Sequence, residues 1–289
     1  MNSNPLEITP DEIMVFCMAS QIEDGDVVAQ GLATPLVAAA YLFARMTHAP
    51  NLYFASAIGQ GICRSPAGLS LTQVEKLWLD LALNNAGFTR AVTEVLPTLR
   101  PKEFFRPAQI DPWGNFNNIA FGKDYRKPRL RLPGTGGIPD VTTYLDDVYL
   151  YIPRHSRATF VQRLDFLAGL GHHPLRTRGR GARYLVTDLG QFDFVPDQEA
   201  PSPPQQARMR LITYHPGVTI EQIRAKTGFD IMISPDVHET LQPNHEELLL
   251  LRKEIDPLAI RRLELLSGAE RRDHLRMILS HEAHPNLTL

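Results

Sequence analysis

Gln109-Ile110-Asp111-Pro112-Trp113-Gly114-Asn115 and Pro133-Gly134-Thr135-Gly136-Gly137 lie about twenty residues apart, and the rest of the 289-residue chain is read around them. Pro presets φ, Gly accepts positive φ, and Asp and Asn bond their own backbone, so each stretch predicts a sharp turn after an extended run. A glycine-dense turn at a strand end also bares main-chain N–H groups, which favour anions and oxyanions. Two surface turns of an α/β protein would carry the same signature.

Outward from these turns, short extended runs alternate with capped helices. Thr9-Pro10-Asp11-Glu12 is a capping box that opens a helix to about Ile22, and Val27 to Gln30 reads as a strand. Thr34-Pro35 caps an apolar, buried helix from Leu36 to Thr47, and Asn51 to Ala57 reads as a buried strand. Leu71, Val74, Leu77 and Leu81 mark a helical face up to Gly87. Further on, Asp147 to Ile152, Tyr184 to Asp188, Leu211 to Tyr214 and Phe229 to Ser234 read as strands. Thr219 and Asn244 cap helices, the second running from Glu246 to Ile255, and Pro201 to Gln206 is a polar loop. This alternation predicts an α/β fold, an open and largely parallel sheet flanked by helices in a single domain.

Composition narrows the function classes. A chain of this size buries about 75% of its unfolded surface without disulfide staples. Lys plus Arg total 30 and Asp plus Glu 32, for a net charge of −2, which argues against a nucleic-acid or membrane-surface partner. Cys17 and Cys63 are the only cysteines, as in a reducing cytoplasm. Residues 1–7 lack the regions of a signal peptide, and Leu32 to Ala44 is too short to span a bilayer, so a soluble cytoplasmic protein is expected. His172-His173 and His281-Glu282-Ala283-His284 lack the HExxH spacing, and no metal site is expected.

Taken as a set, several blocks resemble the B subunit of family I CoA-transferases, closest to the glutaconate CoA-transferase type. They are Ala49-Pro50-Asn51-Leu52, the Gln109 to Asn115 block, Lys127-Pro128 with Leu132 to Gly137, and Leu185-Val186-Thr187-Asp188-Leu189-Gly190. His215-Pro216-Gly217-Val218-Thr219-Ile220-Glu221-Gln222 and Thr227-Gly228-Phe229 complete the set. The resemblance covers about residues 11–257 as one α/β domain and leaves 258–289 as a helical tail without a role. It implies an acyl-CoA thioester as substrate, no bound cofactor, and an A subunit as partner in a heterodimer or heterotetramer.

Family members carry a glutamate after the strand that follows Ala-Pro-Asn; it attacks the thioester and holds CoA covalently. Here that position falls on Ala57, or on Ser56 with a slip of one residue, and no Asp or Glu lies between Asp26 and Glu75. The resemblance then implies hydrolysis or ring opening at a C–C bond, or decarboxylation, as in glutamate-less relatives such as the steroid ring-opening hydrolases. CoA transfer with a carboxylate from elsewhere, and a non-catalytic chain supporting an active A subunit, are the alternatives. Gly136 and Gly137, with Gly134 and Thr135, are assigned to the thioester oxygen or CoA, and Ser56 and Ala57 to the pocket wall at the catalytic position, where Ser56 is either a lining residue or a catalytic hydroxyl. Gln109, Asn115 and Asn117 either point amides into the same pocket or cap the turns. Cys63 is either a thiolate nucleophile or a buried inert thiol. Arg176, Arg178, Arg180 and Arg183 either hold CoA phosphates or form a solvated face or a subunit contact. His215 is read as structural.

Overall fold

A capping box sets the first helix of the computed structural model, which describes residues 7–31, 34–57, 59–65, 68–73, 80–196 and 207–283. The Thr9 backbone N–H donates to Glu12 Oε2 at 2.9 Å, and Pro10 takes the first turn of α1 (Pro10–Ala19). The chain divides into two compact units, residues 1–101 with 242–289, and residues 102–241.

In the first unit, β1 (Val27–Gln30) is followed by α2 (Pro35–Met46), which is buried from Leu36 to Ala44 except at Leu42. Phe16 of α1 meets Phe43 of α2 edge-on, with centroids 4.6 Å apart. β2 (Tyr53–Ser56) runs parallel to β1, and β3 (Gly61–Cys63) and β4 (Ala82–Asn85) follow antiparallel. The helical face predicted up to Gly87 falls partly on residues 74–79, outside the described residues. Its end is corrected: residues 82–85 are the strand β4. Pairing with β3 supplies the Asn84 and Asn85 backbone with partners, and this long-range contact outweighs the local periodicity.

The second unit holds a six-stranded sheet. β5 (Lys102–Phe105) pairs parallel with β10 (Asp147–Ile152), and β10 pairs parallel with β11 (Gly181–Thr187). β12 (Gly190–Pro196) and β13 (Ala207–Tyr214) continue it as an antiparallel meander, and β14 (Met232–Glu239) returns parallel to β13. The expected α/β architecture is present, with the parallel pairs at β5–β10–β11 and β13–β14. The strand expected from Phe229 starts instead at Met232, because Phe229 and Ile231 turn into the core.

Val141 of α3 (Ile138–Tyr144) and Ile223 of α4 (Ile220–Lys226) join Phe105, Leu150, Leu185 and Phe192 in that core. Each such side chain, fully buried, contributes about 1.5–3 kcal/mol.

The chain then returns to the first unit. Asn244 caps α5 (His245–Leu249), which runs on through a π turn at Leu250–Ile255, and α6 (Gly268–Ala283) closes the described chain. The segment for which the sequence offered no role is anchored by two side chains. Buried Arg261 pairs with Asp11 at 2.8 Å, Asp256 at 2.9 Å and Glu12 at 3.0 Å. Glu264 accepts the Leu36 N–H at 2.9 Å, placing an acid at the start of α2.

Candidate functional site

Asp111 organises the first turn. Its Oδ1 accepts the N–H groups of Trp113 at 3.0 Å and Asn115 at 2.9 Å, and its Oδ2 accepts Asn115 Nδ2 at 3.0 Å. Burial pushes the Asp111 carboxyl up to about 6 against these hydrogen bonds. Gly114 sits at φ +74, where an added Cβ would lie 2.4 Å from Ala182 Cβ. Asn115 Oδ1 in turn accepts the Gly171 N–H at 2.9 Å.

β6 (Gln109–Ile110) and β7 (Phe116–Asn117) pair antiparallel, with Gln109 opposite Asn117. Asn117 Nδ2 donates to Gln109 Oε1 at 2.7 Å and to Ala120 O at 2.8 Å, and Asn117 Oδ1 accepts the Ile119 N–H at 2.8 Å. Gln109 Nε2 donates to Asp165 Oδ2 at 3.2 Å, and the same oxygen accepts the Gly122 N–H at 2.9 Å. All three amides of Gln109, Asn115 and Asn117 are thus held by protein partners. They tie the turn to the base of a hairpin, β8 (Ala120–Phe121) with β9 (Leu130–Arg131).

The glycine bend leaves β9 directly. Gly134 has φ +117 and Gly136 φ +52, and an added Cβ at either would meet nothing within 4 Å. The N–H groups of Gly134, Thr135, Gly136 and Gly137 donate to no acceptor among the described residues, and Gly134, Gly136 and Gly137 are exposed. The Gly137 carbonyl starts α3 by accepting the Val141 N–H at 2.9 Å. Four unspent donors on a short, exposed bend form a cradle suited to an oxygen that gathers negative charge.

Ser56 and Ala57 lie in the other compact unit, at the end of β2. Ser56 is buried, and its Oγ accepts the Gly59 N–H at 3.0 Å. Gln60 follows at φ +57, so the chain turns sharply between β2 and β3. Cys63 is fully buried, and desolvation pushes its thiol up to about 12, which leaves it a thiol at neutral pH.

Two buried histidines complete the second unit. His215 Nε2 lies 2.8 Å from Thr187 O, an acceptor only, so Nε2 carries the proton and Nδ1 accepts from Thr240 Oγ1 at 2.9 Å. That fixes a one-way chain: Tyr184 donates to Gln191, Gln191 to Thr213 at 2.7 Å, and Thr213 to Thr240 at 2.7 Å. His155 lies flat on Phe160 at 3.7 Å, with its nitrogens 3.2 Å from Thr187 Oγ1 and 3.0 Å from Thr227 Oγ1. Burial lowers His155 to about 3 and His215 to about 4, so both are neutral. Both rings serve as structural crosslinks.

Of the four arginines read either as phosphate ligands or as a solvated face or subunit contact, two are held by protein partners. Among the described residues, the Arg176 guanidinium donates only to main-chain carbonyls, including Gly171 O at 2.8 Å and Thr142 O at 2.6 Å. Arg180 forms a two-pronged pair with Asp147. Arg178 and Arg183 are exposed.

Sequence reading passed over Glu103 of β5. It makes no hydrogen bond or ion pair among the described residues, and desolvation pushes its carboxyl up to about 8. Burial, and after it the Glu103 carboxylate, raises the Tyr144 phenol as well, whose buried oxygen is without a hydrogen-bond partner among the described residues. No motif surrounds Glu103, which follows Lys102 in a strand whose other two residues are Phe104 and Phe105.

The α/β sheet, the Asp111 turn and the glycine bend together define a class, and the Coenzyme A transferase profile matches residues 103–226. The chain belongs to the CoA-transferase family, among its B-type chains. It is 31% identical over 263 residues to the B chain of 3-oxoadipate CoA-transferase from Pseudomonas knackmussii, covering 84% of this chain and 91% of that one. It is 28% identical over 273 residues to the cholesterol ring-cleaving hydrolase IpdB subunit of Rhodococcus jostii, covering 92% and 99%. The crystal structure of the decarboxylase AibA/AibB matches with a TM-score of 0.72 at 29% identity, covering 88% of this chain and 98% of that one. Relatives at similar distance thus bear the names of a transferase, a hydrolase and a decarboxylase.

Proposed function

We propose that this chain is the B subunit of a two-subunit enzyme acting on an acyl-CoA thioester by C–C bond hydrolysis or decarboxylation. The observation that carries the choice of reaction is the end of β2. Ser56 and Ala57 stand there, and no carboxylate occurs between Asp26 and Glu75. An alanine forms no acyl intermediate, and a serine ester would be a poor partner for reversible thiolate exchange. In this reading the free N–H groups from Gly134 to Gly137 hold the thioester oxygen as it becomes an enolate or a tetrahedral oxyanion. An A subunit supplies the remaining wall of the pocket, as the names of the relatives imply for their own assemblies.

Transfer of CoA to a carboxylic acid is the second reading, favoured by the relative of 31% identity. One experiment separates the two. The A/B assembly is incubated with an acyl-CoA and no acceptor acid, then treated with borohydride and analysed by mass spectrometry. Product without acceptor and without a reduced glutamyl adduct is expected; an adduct, or strict dependence on acceptor acid, refutes hydrolysis and decarboxylation. A Gly136→Asn variant tolerates the left-handed backbone and fills the bend. It is expected to assemble normally and lose about 100-fold or more in kcat/KM. Unchanged turnover would relegate this chain to a scaffold.

A further inference from the structure

The β8–β9 hairpin concentrates positive charge in a chain whose total is −2. Lys123, Arg126, Lys127, Arg129 and Arg131 fall between residues 123 and 131, against the single acid Asp124. All five are exposed, and none forms an ion pair among the described residues. Two guanidinium groups are nonetheless held in place on rings: Arg131 lies 4.5 Å from the Tyr125 centroid and Arg129 6.0 Å from that of Phe121. Tyr125 in turn meets Phe166 edge-on at 6.0 Å. The Gly122 N–H, bonded to Asp165 Oδ2 at 2.9 Å, pins the hairpin to the Gln109–Asn117 lattice.

Like charges gathered without counter-ions repel one another, and a fixed array of them favours a polyanion. Rings beside planar guanidinium groups add faces on which a base can stack. β9 leads straight into the glycine bend, Arg131 preceding Gly136 by five residues, at most about 17 Å of extended chain. In the other arginine cluster, Arg176 is held by main-chain carbonyls and Arg180 by Asp147.

We propose that the β8–β9 hairpin binds the phosphorylated nucleotide end of the CoA thioester, with the bend holding the acyl end. The assignment rests on the acyl-CoA reading above and adds to it the site that recognises the coenzyme. The test uses free CoA and 3′-dephospho-CoA as probes, titrated calorimetrically into the intact A/B assembly. Wild type is expected to prefer CoA by about 10-fold, since a charge-assisted phosphate contact is lost with the 3′-phosphate. The triple variant Arg126→Gln/Lys127→Gln/Arg129→Gln is expected to lose that preference and to bind 3′-dephospho-CoA nearly as wild type does. The three side chains are exposed, so their removal leaves the fold intact; circular dichroism and assembly with the A subunit check this. An unchanged preference in the variant overturns the hairpin assignment alone. Failure to assemble also overturns it, by making the charges a subunit contact. Absence of CoA binding to the wild-type assembly overturns the functional reading together with it.

Discussion

Replacing His215 by Gln tests whether the buried polar chain of the second unit depends on a neutral imidazole. A glutamine can donate to Thr187 O and accept from Thr240, so the fold is expected to survive at a cost. The histidine's folded value is about 4 against 6.5 for a free imidazole, and the unfolded chain therefore binds more protons between those values. Its contribution is fully present above pH 6.5 and lost as the pH falls through 4. One proton corresponds to about 1.4 kcal/mol per pH unit, so by pH 5 wild type has given up about 2 kcal/mol that the glutamine variant never had. Asp111 and Glu103 have raised values and act with the opposite sign, so the wild-type pH profile alone is uninformative. The readout is the difference between wild type and His215→Gln in urea unfolding, followed by tryptophan fluorescence at pH 7.5 and at pH 5. That gap is expected to shrink by about 2 kcal/mol. A gap of constant size, or an imidazole resonance titrating near its ordinary value, would refute the neutral crosslink.

Gly114→Ala places a methyl 2.4 Å from Ala182 Cβ at φ +74, and is expected to cost about 3 kcal/mol in thermal unfolding; a loss under about 1 kcal/mol would mean the turn is loosely held. Arg261→Met strips the cation from Asp11, Glu12 and Asp256, and a loss of about 3–5 kcal/mol is expected in urea. A neutral result would show that the three acids find water instead. Ala57→Glu returns a carboxylate to the end of β2. With borohydride and acyl-CoA, the A/B assembly carrying it is expected to yield a glutamyl-CoA adduct absent from wild type, and an adduct in neither would place the family position elsewhere.

Features written in consecutive residues were legible in the sequence, and features made by distant pairing were not. The capping boxes at Thr9, Thr219 and Asn244 fixed the starts of α1, α4 and α5, because donor and acceptor lie three residues apart. β10 came out with its observed ends, since Asp147 to Ile152 is apolar on both faces between two turns. β4 was misread because its backbone partners are in β3, and β12 was missed although Phe192 and Phe194 alternate with polar neighbours. Among the candidate residues, the bend was recognised as a turn from its glycines. The commitment of Gln109, Asn115, Asn117 and Arg176 to internal partners depends on Asp165, Asp111, Gly171 and Thr142, which no local pattern connects to them.

Those committed side chains bear on how the bend works. Short glycine-rich segments are entropically costly to order, and a loop with four unspent N–H groups has little internal bonding to hold it. Here the ordering comes from below. Asn117 and Gln109 share one hydrogen bond, both Gln109 and Gly122 converge on Asp165 Oδ2, and Leu132 N–H donates to Ile119 O at 3.1 Å just before the bend begins. On the other side α3 takes up the chain at Ile138, and Thr142 Oγ1 bonds both Ile138 O and the Leu170 N–H. The Gln109–Asn117–Asp165 lattice thereby fixes one end of the bend and Thr142 the other, so that in the proposed function its donors need no reorientation when charge develops on an oxygen before them. Weakening that lattice at Asn117 should therefore slow turnover without touching the bend itself.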